Sequence, residues 1–98
     1  MIKVICQKNQ IKISGHAMYD DYGKDIVCAS VSSIVITSVN VALRLNASSL
    51  SYKEQDGLLV INILSHDKVT TTIILNMIEL LKELEKKYKN NIKINEEV

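Results

Sequence analysis

Residues 25–45, DIVCASVSSIVITSVNVALRL, run without a single glycine or proline. No other stretch constrains the fold as strongly. Its many β-branched residues favour a strand by propensity. Its periodicity favours a helix. Ser30, Ser33, Thr37, Asn40 and Arg44 recur at steps of three and four, which is one stripe of a helix. Val27, Val31, Ile34, Val35, Val41 and Leu45 fall opposite. Asp25 is a good N-cap residue. Periodicity outweighs the weaker propensity prior, so the spacing predicts a mostly buried helix over 25–45.

The segments on either side read more simply. Residues 2–6 (IKVIC) and 11–16 (IKISGH) are short β-rich runs separated by a polar turn, which predicts a hairpin. Strict alternation puts Lys12, Ser14 and His16 on one face, and Gly15 can bend the strand and re-aim the histidine. Residues 17–24, AMYDDYGK, read as an exposed loop. Runs at 48–54 and 58–64 flank Gln55-Asp56-Gly57, and Asp-Gly between such runs is a strong hairpin signal. The second of these runs is apolar on both faces apart from Asn62, so it belongs at the centre of a sheet or under a partner chain.

Residues 67–88 form a second helix, with Asp67 as its cap. Its apolar stripe is Ile73, Ile74, Met77, Leu80, Leu81, Leu84 and Tyr88. A last short strand covers 92–94. The expected architecture is therefore α+β in the order ββαββαβ. Two helices pack on one face of a five-stranded, largely antiparallel sheet, as one domain over 1–98.

Composition excludes several functions. The chain has 98 residues and a formal net charge of +1, from 12 basic and 11 acidic side chains. That balance is not the basic excess of a nucleic-acid binder. No stretch is expected to approach the ~18 apolar residues needed to span a bilayer, and the N-terminus lacks a signal-peptide layout. The expected compartment is the cytoplasm, where thiols stay reduced. The two cysteines are then read separately, each a candidate nucleophile if a histidine stands near it.

Cys28 is the sharper candidate. With Asp25 as cap it takes the third helical position, where unpaired N–H groups and the helix dipole favour a thiolate. His16, at the end of the second strand, is the natural base. Ser32 lies four residues past Cys28 and so on the same helix face. Cys6 sits mid-strand with Ile2 and Val4 and reads as a core thiol. His66, in Ser65-His66-Asp67, reads as part of a helix cap. No close ligand pair such as HxH or CxxC suggests a metal, no phosphate or dinucleotide glycine fingerprint occurs, and no cofactor is expected. On these residues alone three readings stand: a Cys–His peptidase, a binding module in which His16 and Cys28 are structural, and a thiol redox or acyl-transfer protein.

Gly15-His16-Ala17, then Tyr22-Gly23, then Asp25-Ile26-Val27-Cys28-Ala29 and Val31-Ser32, with Ser38-Val39-Asn40 beyond, resemble the signature of the bacterial ribosomal-processing cysteine proteases, Prp. Size and element order agree across the chain. The resemblance implies an endopeptidase that removes a short N-terminal extension from a large-subunit ribosomal protein, number twenty-seven in the bacterial series. It implies Cys28 as nucleophile, His16 as general base and then acid, and supporting places for Asp25 and Ser32. It also implies a substrate-covering loop containing Gly15, Ala17, Tyr22 and Gly23, and a homodimer. The ribosomal protein precursor would be the partner, and ribosome biogenesis the process.

Overall fold

Isoleucine and valine at alternate positions set the strands, and steps of three and four set the helices. The computed structural model describes residues 1–15 and 22–97, with only the backbone described for 22–25. Strands β1 (Ile2–Cys6) and β2 (Gln10–Ser14) form the first hairpin, followed by helix α1 (Tyr22–Leu45). Strands β3 (Leu50–Gln55) and β4 (Leu58–Ile63) form the second, followed by α2 (Lys68–Lys87) and β5 (Ile92–Glu96). The ββαββαβ order expected from the sequence is the order observed.

The sheet runs β3-β4-β2-β1-β5. All neighbours are antiparallel except β1 and β5, which pair in parallel with Ile2 opposite Ile92. The doubly apolar β4 lies inside the sheet, between β3 and β2, one of the two places its composition allowed. Register fixes the faces. Val4 opposes Ile13, Ile13 opposes Leu59, and Ile11 opposes both Cys6 and Ile61. These side chains point to one side and meet both helices in one core: Val27, Val31, Val35, Val39 and Ala42 from α1, and Ile74, Met77 and Leu81 from α2. A single continuous core requires both helices on the same face.

Two turns are fixed by local chemistry. Gln55 pairs with Leu58, which leaves a two-residue loop. Asp56 and Gly57 both have positive φ, 47° and 79°, the requirement of a type I′ hairpin. Asp67 has extended backbone, and its carboxylate accepts a 3.0 Å hydrogen bond from the Thr70 N–H. It caps α2 as expected.

The structure corrects three points about the helices. The first helix starts at Tyr22 rather than after an Asp25 cap, so Tyr22, Gly23 and Lys24 are helical rather than loop. The buried row of α1 runs 27, 31, 35, 39, 42, while Val41 and Leu45 are 42% and 64% exposed. That row follows the direction in which the helix crosses the sheet, which local hydropathy does not encode. In α2, Leu80 likewise faces outward. The expectation that no stretch is apolar enough to span a bilayer is also corrected: Ile26–Leu45 in α1, 20 residues of mean hydropathy 2.1, is apolar enough to cross a membrane by length and composition. Here its valine row packs against the sheet.

Candidate active site

The end of β2, α1 and the β3–β4 hairpin surround a cavity of about 190 Å³, lined among others by Gly15, Cys28, Ser32, Glu54, Gly57 and Leu58. Cys28 is half-buried and makes no disulfide. A thiol in that state is supported by the scaffold and open to a ligand. Ser32 stands one helical turn on and lines the same cavity, on the helix face it shares with Cys28.

Helix α1 carries Cys28 at its seventh position, because the helix begins at Tyr22. The expected third position is overturned. Only the first four N–H groups of a helix lack an internal partner, so the Cys28 N–H is not among them. The first-turn dipole argument for this sulfur loses its basis.

Gly15 sets the turn that ends β2. Its φ is +87°, a conformation that glycine adopts without penalty. A Cβ at this position would fall on the carbonyl oxygen of Met1. The chain therefore turns at Gly15, beside the cavity, and the next residue is His16. His16 and Ala17, with the rest of 16–21, lie outside the described residues, as do the side chains of Tyr22 and Asp25.

The rival groups sit elsewhere. Cys6 is buried. Burial pushes its thiol up from the ordinary value, and Glu96, its neighbour across the β1–β5 pair, pushes in the same direction, partly offset by Lys82. Such a thiol is a poor nucleophile. His66 is held through Nε2 to Asn9 Oδ1 at 2.7 Å and lines a different cavity, with Ile11, Ile74 and Leu75. Among the described residues no three His, Cys, Asp or Glu side chains converge as a metal site would need.

Sequence reasoning missed the contribution of the β3–β4 hairpin. Glu54, Gly57, Leu58 and Leu59 all line the cavity. The Asp-Gly turn was legible, but nothing local says that this turn lies beside Cys28. Residues 51–55, SYKEQ, carry no apolar alternation that would show which of them face the helices.

A family model described as cysteine protease Prp matches residues 1–93. The ribosomal processing cysteine protease Prp of Staphylococcus aureus is 31% identical over 86 residues, spanning 85% of this chain and 81% of that protein. Crystal structures of the S. aureus protease superpose closely. The complex with a covalently linked product peptide gives a TM-score of 0.89 at 27% identity, covering 99% of this chain and 100% of that one. The complex with a substrate peptide gives 0.90 at 26% identity with the same coverage. With the cavity at Cys28 and a match along nearly the whole chain, this protein belongs to the cysteine protease Prp family.

Proposed function

We propose that the protein is a cytoplasmic endopeptidase that removes the N-terminal extension of large-subunit ribosomal protein number twenty-seven during ribosome maturation. Cys28 is the nucleophile and His16 the base and acid. The observation that carries this reading is the shared cavity: Cys28, Ser32 and Gly15, the residue bonded to His16, line one pocket. The S. aureus relative is itself a ribosomal processing protease crystallised with substrate and product peptides.

The chemistry follows from these groups. His16 takes the Cys28 proton, and Sγ forms a bond to the scissile carbonyl carbon while the carbonyl π pair moves to oxygen. The tetrahedral intermediate collapses, the C–N bond breaks, and the His16 imidazolium gives its proton to the leaving amine. His16 then takes a proton from water. The hydroxide adds to the thioester, and Sγ leaves as the carboxylic acid forms. Asp25 and Ser32 support this pair, Ser32 from one turn along α1.

The edge strand β3 supports a peptide substrate. In the order β3-β4-β2-β1-β5 its outer side has no strand partner among the described residues, so its backbone can pair with an extended peptide. The exposed apolar residues Ile26, Val41 and Leu45 on α1 suit the homodimer reading.

The test is incubation with the N-terminally extended ribosomal protein and mass determination of the products. One cut is expected, releasing a short N-terminal peptide. Cys28→Ala should lower the rate by at least ~10³-fold. Cleavage that survives in Cys28→Ala sinks the assignment. Sedimentation velocity should give twice the monomer mass.

A further inference from the structure

The cavity at Cys28 continues along α1 into a second one, of about 210 Å³, bounded by Val35, Ile36, Val39, Asn40, Tyr52 and Glu54. Val35, Ile36, Glu54 and Leu59 line both, so the two form one groove between α1 and the β3–β4 hairpin. Its walls are mostly aliphatic. Among the described residues Glu54 is the one acidic side chain in the lining, which holds no lysine, arginine or histidine.

Register places Glu54 in the groove. It pairs with Leu59, whose side chain packs on the core, so Glu54 points to the helix side like Leu50 and Tyr52. Other charged residues of these strands, Lys12 and Lys53, oppose Val60 on the far face. Glu54 makes no hydrogen bond or ion pair with a described residue. A single carboxylate is too few ligands for a metal ion, and it matches one ammonium or guanidinium group well.

We propose that Glu54 is a specificity-determining residue that selects a lysine or arginine side chain of the peptide substrate, held in the groove beside the scissile bond. This rests on the peptidase reading above. A peptide in the groove shields the carboxylate from water, which strengthens the pairing. Lysine or arginine can also lay its aliphatic stem along the exposed Ile36 while its charge reaches Glu54. An acidic side chain at the same subsite meets a like charge and is rejected.

The test uses peptides covering the extension and the first mature residues of the ribosomal protein, with each basic residue singly changed to Gln. One such change should lower kcat/KM of the wild type by roughly threefold to tenfold, yet barely affect Glu54→Gln, the pattern of a coupled pair. Glu54→Lys should prefer the same peptide with Glu at that position. Glu54 is exposed on an edge strand, so both variants should fold, as circular dichroism will check. Identical responses of wild type and Glu54→Gln to every peptide would overturn the proposal. If the wild type cleaves none of them, the ribosomal substrate is wrong. The Glu54 inference is then read from fluorescence anisotropy with a labelled Lys-containing peptide and its Gln counterpart. Tighter binding of the Lys peptide by wild type than by Glu54→Gln supports it, and equal binding overturns it.

Discussion

Gly15 lies against the carbonyl of Met1, with no room for a Cβ between them. This contact lets the end of β2 turn beside the neighbouring strand and lead into His16. Gly15→Ala meets two costs. The left-handed backbone disfavours a side chain, and the new methyl group strikes main chain that cannot rotate away. The expected loss is about 1–3 kcal/mol of stability, measured by urea denaturation. Peptidase activity should fall further than stability explains, because the variant displaces the histidine segment. Unchanged kcat/KM in a folded Gly15→Ala protein would detach this turn from the active site.

The two thiols should react very differently. Cys6 is buried and raised by that burial, whereas Cys28 borders an open cavity. Limiting iodoacetamide at neutral pH should label Cys28 and leave Cys6 untouched until the protein is denatured, as read by peptide mass mapping. Labelling of Cys6 in the native protein would show that the β1 core opens readily.

Asp67 provides a pH handle remote from the active site. Hydrogen bonds from Thr70 hold its carboxyl below the usual carboxylate range. A lowered folded-state value means that the ionised carboxylate stabilises the fold above the unfolded value, roughly pH 4, and that this contribution fades as pH falls. Asp67→Ala should lower the thermal midpoint at pH 7, and the gap to wild type should narrow below about pH 4. Its kcat/KM should match wild type. A gap that stays constant down to acid pH would show that the cap does not act through its charge.

Ile61 is completely buried at the middle of β4 and opposes Ile11. Ile61→Ala removes packing from the centre of the sheet and should cost roughly 2–5 kcal/mol. Ile61→Val should cost about 0.5–1.5 kcal/mol. Equal midpoints for the two variants in chemical denaturation would mean that the site collapses around the cavity.

The amino-acid order by itself determined the elements and their local devices. Steps of three and four in 27–44 and 67–88 dictate helices, because only that spacing puts apolar side chains on one side of a helical backbone. Asp56-Gly57 dictates its turn because glycine, and to a lesser degree aspartate, tolerates positive φ. Asp67 dictates a cap through its own side chain, and the paired GHA and DIVCA segments carry the family resemblance. Tertiary structure decided what depends on distant partners. The angle at which α1 crosses the sheet buries Val39 and Ala42 and exposes Val41 and Leu45. The start of α1 at Tyr22 moves Cys28 out of the first turn, although Asp25 satisfied the local rule for a cap. The groove exists because strand order brings the β3–β4 hairpin to the face that α1 covers, a long-range pairing that no window of sequence contains. Glu54 therefore reads as one more polar strand residue until the fold brings it to the cavity that Cys28 lines.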